Sequence, residues 1–113
     1  MLGIIHAVIK PFKLEDVKVA LRRAGVTGLT VTEAQGYGRQ GGHTETFRGS
    51  EYQLDFVPKL HLEVVVPLED AEHIARCIAD AARTGKVGDG KIWITSVERL
   101  MRIRTNEMGS DAL

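Results

Sequence analysis

Aromatic residues make up only 5% of the 113-residue chain, and there is one tryptophan. Surfaces on which unpaired bases stack are therefore few, which argues against a single-strand nucleic-acid binder, and the core must be aliphatic. Charge of one sign is lacking as well. Lys plus Arg and Asp plus Glu number 15 each, so no net field draws the chain to nucleic acid or to an acidic membrane. Cysteine is reduced to Cys77, which can form no internal disulfide; among apolar residues at helical spacing it reads as a buried thiol, in keeping with a reducing cytoplasm. Long hydrophobic runs are missing too. The stretch from Leu2 to Ile9 is broken by Gly3 and His6, and it has neither the length nor the basic flank of a signal or membrane segment. What remains, at 43% hydrophobic and 27% charged, is a single domain, 1–113, too short for a full dinucleotide-binding fold.

The hydrophobic period changes along the chain. "GIIHAVI" is short and β-branched, and Pro11 ends it because proline gives no N–H to a ladder. Leu14, Val17, Leu21 and Ala24 then recur at three and four, Glu15 and Asp16 favour the positive first turn, and Gly25 stops the helix. "GLTVTEA" alternates as a strand buried on one face, and "KLHLEVVV" sets Leu60, Leu62, Val64 and Val66 against Lys59, His61, Glu63 and Val65. Between them, from Gly36 to about Phe56, five glycines and no sustained period predict a long loop, which in a small domain implies a function. Ala71, Ile74, Ala75, Ile78 and Ala82 predict a second helix with Gly85 as its cap; "KIWIT" is a fourth strand and "MRIRT" a short extra one. The order β-α-β-β-α-β predicts an α/β (α+β) fold of the ferredoxin-like kind, an antiparallel sheet with two helices on one face. The other face, with Val65 and Trp93 beside Thr30, Thr32 and Glu63, is suited to a symmetric homo-oligomer.

Two glycine motifs come close to known phosphate binders and miss. "GKVGDGK", Gly85 to Lys91, lacks the hydroxyl of a P-loop and follows a helix rather than a strand. Its glycines still allow backbone N–H groups to turn inward as an anion nest beside Lys91; an ordinary glycine-rich turn is the competing reading. From Arg83 to Arg104, six basic residues face two acidic ones. On an extended segment Arg102 and Arg104 would point to one side and offer two guanidiniums to phosphate; the alternative is a charged, solvated edge. "GYGRQG" follows a strand but enters no helix, so Gly36, Gly38 and Gly41 read as hinge glycines from which Arg39 and Gln40 reach a ligand. His6, His43, His61 and His73 show no metal-ligand spacing. Ser50 and Tyr52 lie at the loop tip, where a modifying enzyme could reach either hydroxyl.

Together "IKPFKLEDV", "GLTVTEAQGYGRQGGHTETFRGSEY", "DFVPKL", "AARTGKVGDGKIW" and "RIRTNE" resemble the PII nitrogen-regulatory signal proteins, in order and over essentially the whole chain. The resemblance implies a cytoplasmic homotrimer that binds ATP or ADP, and 2-oxoglutarate with Mg-ATP, in clefts between subunits. It implies an effector T-loop at about 37–56, a phosphate-binding B-loop at about 83–91 and a C-terminal segment at about 102–113. Gly88, Asp89, Gly90 and Lys91 match the B-loop; Arg102 and Arg104 match arginines that a neighbouring chain offers to phosphate; Thr30, Glu63 and Val65 match positions near adenine and ribose. Gly38 and Arg39 match the base of the T-loop. Gln40 matches an oxygen ligand of the Mg ion and, with Lys59 and Gly88, the 2-oxoglutarate site. Tyr52 matches a nucleotidylated tyrosine and Ser50 a phosphorylated serine. The implied partners are an ammonium channel, which gives the only, indirect, link to a membrane, a nucleotidyl-modifying enzyme or a biosynthetic kinase. Gly41, Phe47 and Asn106 depart from the usual Lys, Tyr and Gly.

The resemblance implies a regulator and not an enzyme. The alternative, a slow ATPase on the same fold, has only Asp89 as a base near the phosphate residues. A nucleic-acid module of this fold would want an aromatic pair on its central strands, which is lacking.

Overall fold

The computed structural model describes residues 1–37 and 56–113 in full, and 43–47 and 50–54 as backbone. β1 (Leu2–Ile9) carries Ile5, Ala7 and Ile9, all buried, on one face and Ile4, His6 and Val8 on the other. A single turn of 3-10 helix at Pro11–Lys13 leads into α1 (Leu14–Arg23), whose first turn holds Glu15 and Asp16 and whose last holds Arg22 and Arg23, each charge matched to its end of the helix dipole. The helix stops at Gly25 (φ 85), where the N–H of Gly25 donates to the Arg22 carbonyl and that of Val26 to Leu21. This pair of bonds satisfies the last carbonyls and needs a left-handed residue at Gly25.

β2 (Thr30–Gly36), β5 (Val57–Pro67), β1 and β6 (Lys91–Val97) lie in that order in one sheet, every neighbouring pair antiparallel. α2 (Leu68–Ala82) begins where the Leu68 N–H donates to the Met1 carbonyl, and it packs beside α1 on one face. Val17 and Leu21 from α1, and Ala71, Ile74, Ile78 and Ala82 from α2, close over the inward residues of β1 and of β5 (Leu62, Val64, Val66). Burying each of the larger aliphatics contributes about 1.5–3 kcal/mol relative to exposing it. The expected ferredoxin-like arrangement is the one observed. None of the described helices is long and apolar enough to cross a membrane.

Four expectations need correction. The loop after β2 is not without structure: β3 (His43–Phe47) and β4 (Ser50–Leu54) pair antiparallel, Phe47 opposite Ser50. The sequences of the two strands, HTETF and SEYQL, carry no sustained hydrophobic period that would have revealed them. β2 is not buried on one face, since Val31 is exposed; two helices over four strands cover β1 and β5 and leave the edges open. Gly85 does not cap α2, because the chain already turns extended at Arg83 (ψ 131). "MRIRT" is not a strand. Met101 makes one bridge to Met108, and between them the chain turns, the Arg102 N–H donating to the Glu107 carbonyl and the Asn106 N–H to that of Arg102.

Candidate functional site

The glycine-rich loop between α2 and β6 is held from inside by Asp89. Its carboxylate accepts the backbone N–H groups of Thr84 (2.8 Å) and Gly85 (2.9 Å) and the Thr84 hydroxyl, and it pairs with the Lys10 ammonium at 3.2 Å. Lys10, largely buried, also donates to the Thr84 hydroxyl at 3.1 Å, and the Lys86 N–H donates to that same oxygen. The Thr84 hydroxyl above all, then the two backbone N–H groups and Lys10, hold the Asp89 carboxyl well below the usual carboxylate range against the opposing effect of burial. Pulling the Thr84 and Gly85 amides onto Asp89 also explains why α2 ends early. With both oxygens occupied and its basicity lowered, Asp89 is placed to shape the loop rather than to take a proton.

Glycine has a separate reason at each end of "GDG". Gly88 has φ 94 and Gly90 φ 104, a region that L side chains avoid. At Gly90 there is no room either: a Cβ would come within 1.7 Å of the Val8 carbonyl oxygen, so the loop rests directly on β1. Lys59 crosses beneath from β5, its stem lying against Gly36 and its ammonium donating to the Gly88 carbonyl. It is buried, and burial, followed by the nearby Lys10 charge, pushes its ammonium pKa down against the opposing pull of Asp89. One end of the sheet therefore gathers Lys10, Lys59, Gly88, Asp89, Gly90 and Lys91, along with Gly36, which leads toward the segment with Gly38, Arg39, Gln40 and Gly41. Those four lie outside the described residues, as do the side chains of Phe47, Ser50 and Tyr52.

Arg102 and Arg104 lie beyond the other end of the sheet, and Thr30, Glu63 and Val65 lie across its middle. Lys91 pairs with Val8 at the finish of β1 and Val97 with Leu2 at its start, so β6 carries the chain about 20 Å from the glycine loop before Arg102 is reached. Arg102 there binds Glu107 at 2.9 Å and the Leu113 carbonyl, while Arg104 is exposed on the turn. Strand alternation, the ground on which the sequence put the two arginines on one side, therefore does not apply, because the segment turns. Asn106 adopts φ 63 in that turn, which accounts for its departure: a left-handed residue is needed, and asparagine follows glycine in tolerating it. Thr30 pairs directly with Glu63, with Val65 two residues on, so these three share the open face of the sheet.

The sequence missed one cluster. The register of β1 and β5 brings His6 and His61 together with Glu63, although nothing in their spacing marks them; the signal lay in the pairing of two strands.

The described residues define a small α+β protein of the ferredoxin-like class, with a lysine-bearing glycine loop between its second helix and last strand. The family model for "Nitrogen regulatory protein P-II" matches residues 3–107. The nitrogen regulatory protein P-II of Rhizobium meliloti (strain 1021) is 56% identical over 109 residues, 96% of this chain and 97% of that protein, and that of Azospirillum brasilense is 55% identical over the same shares. A crystal structure of Arabidopsis thaliana PII bound to citrate aligns with a TM-score of 0.81 at 31% identity, covering 99% of this chain and 92% of that one. The chain belongs to the P-II nitrogen regulatory protein family, and as such it is a signal protein and not an enzyme.

Proposed function

We propose that the chain reports nitrogen, carbon and energy status by binding ATP or ADP, and 2-oxoglutarate together with Mg-ATP, in clefts between the copies of a cytoplasmic homotrimer. The observation that carries this reading is the separation of the candidate phosphate residues into two groups toward opposite ends of one sheet. The loop of Gly88, Asp89, Gly90 and Lys91 is on one side, and Arg102 and Arg104 are on the other. β6 alone spans about 20 Å between the loop and the segment that carries the arginines, so the two groups serve one phosphate chain if a neighbouring copy brings the second group to the first. In each cleft the glycine loop and Lys91 of one chain take the phosphates, with Gly38 and Arg39 beside them. Arg102 and Arg104 of the next chain complete the phosphate site, and its Thr30, Glu63 and Val65 line the adenosine.

The described residues fit anionic oxygens: Lys10, Lys59, Lys86 and Lys91 lie on or beside the loop, and the Asp89 carboxylate is consumed within it. Oxygen ligands for Mg would come from Gln40, from the phosphates and from the 2-oxo acid, a hard-oxygen set that suits this ion; bound there, it would join the two ligands into one unit. Lys59 holds the distal carboxylate of 2-oxoglutarate. Because Gln40 sits at the root of the loop 37–56, occupying the site selects that loop's conformation and so its affinity for a partner. An ammonium channel, a nucleotidyl-modifying enzyme or a biosynthetic kinase is the class of partner addressed, and Tyr52 and Ser50 are the candidate modification sites.

Calorimetry tests the reading. Binding of 2-oxoglutarate should require Mg-ATP, and Gln40→Ala should abolish it while largely sparing ADP. Binding of 2-oxoglutarate without nucleotide, or equal loss of both ligands in the variant, would contradict it.

A further inference from the structure

Three metal-ligating side chains meet on the open face of the sheet, apart from the glycine loop. His6 faces Glu63 across the β1–β5 ladder and Val8 faces His61, which puts both imidazoles and the carboxylate on one side. His6 Nδ1 lies 3.3 Å from His61 Nε2, and Glu63 Oε1 lies 3.9 Å from each nitrogen. Metal–nitrogen bonds of about 2.0–2.1 Å in a tetrahedron keep two ligand nitrogens about 3.3 Å apart, so the imidazoles already stand at the required spacing. Glu63 must close by about half an ångström to reach the same tetrahedral spacing, and its half-exposed side chain is free to do so.

The surroundings hold the rings in place. His6 Nε2 lies 3.1 Å from the Thr95 hydroxyl. Donating its N–H there leaves the Nδ1 lone pair facing His61 and Glu63, as an outer-shell partner does for a metal-bound histidine. Trp93 stacks on His6 (5.2 Å between centroids, 2° between planes) and on His61 (5.8 Å, 24°), which fixes both ring planes from the β6 side. Two imidazoles and one carboxylate suit a borderline first-row ion over magnesium or calcium. We propose that His6, His61 and Glu63 form a binding site for a divalent transition-metal ion, zinc by its donor set, with the fourth coordination position open. Among the described residues no other group of three such ligands converges.

The test is titration of the untagged, metal-stripped full chain with Co²⁺ alone, followed by visible ligand-field absorption and then by displacement with Zn²⁺. One Co²⁺ per chain with a tetrahedral spectrum, displaced by zinc, is expected. His61→Gln and His6→Phe, the latter keeping a ring against Trp93, should each weaken binding about 100-fold, and Thr95→Val about 10-fold. His73→Gln removes the imidazole of a separate pair, 3.9 Å from Cys77, and should change nothing. The urea midpoint of each variant confirms that it folds; because Glu63 is shared with the proposed adenosine cleft, the histidines carry the test, and ADP calorimetry without transition metal, unchanged in His61→Gln, shows that loss of the ion is not loss of the nucleotide site. An octahedral spectrum, binding that survives loss of both His6 and His61, binding lost in His73→Gln, or one ion per three chains would overturn the proposal.

Discussion

The two ends of the sheet are built differently. At the finish of β1 the glycine loop is stitched to its surroundings: Asp89 holds two backbone amides, a hydroxyl and the Lys10 ammonium, Lys59 holds the Gly88 carbonyl, and Gly90 presses on Val8. At its start, the 101–108 turn is closed by one bridge, two backbone bonds and the Arg102–Glu107 pair, and Arg104 stands exposed. The first end is held in one arrangement by buried charge. The second ties Arg102 to Glu107 and presents Arg104 outward. On the proposed reading, one chain carries a finished half-site and an offered one.

That contrast predicts unequal sensitivity to substitution. Gly90→Ala should have the largest effect, because the added methyl meets the Val8 backbone and the residue is left-handed as well. A loss of about 3 kcal/mol or more in urea unfolding is expected, with ADP binding lost alongside. A variant of wild-type stability would mean that the loop does not rest on β1.

Asp89→Asn should follow. The folded-state carboxyl is depressed below its ordinary value of about 4, so the stability it contributes is fully present above that pH and is lost as the pH falls further through the folded value. The variant should flatten the acid limb of the stability profile below about pH 4 and weaken ADP by loosening the Thr84 and Gly85 amides. An unchanged acid limb would assign the fall to other carboxylates. Asn106→Ala should cost about 1 kcal/mol, since alanine tolerates positive φ poorly, whereas Asn106→Gly should stay within a few tenths. Equal effects would show that the left-handed residue is not what shapes that turn.

Legibility in the sequence followed the same division. The helices, the four-strand sheet and its aliphatic core were readable because Leu14, Val17, Leu21 and Ile74, Ile78 keep the helical period and because Leu62, Val64 and Val66 alternate. The glycine loop was readable as a place for anions, but not the part Asp89 plays within it, since a carboxylate's hydrogen-bond partners leave no trace in spacing. Exposure of Val31 was missed because strand order decides which strands are edges. The arginine segment was misread as extended, since nothing local revealed that Arg102 and Asn106 close a turn. His6 and His61 were dismissed for want of spacing, although 55 residues of separation is no obstacle when two strands pair.

The central claim is that the finished half-site of one chain is completed by the offered half-site of another. Lys91→Ala and Arg104→Ala each remove one charge-assisted phosphate contact, worth about 1.5–3 kcal/mol, and each homo-oligomer should bind ADP some 10- to 100-fold more weakly. The decisive measurement is ADP calorimetry on oligomers assembled from a mixture of the two variants. Pairing an intact loop with an intact arginine from its neighbour should restore a fraction of sites at wild-type affinity. Mixed oligomers that bind no better than either variant alone would contradict a cleft shared between chains.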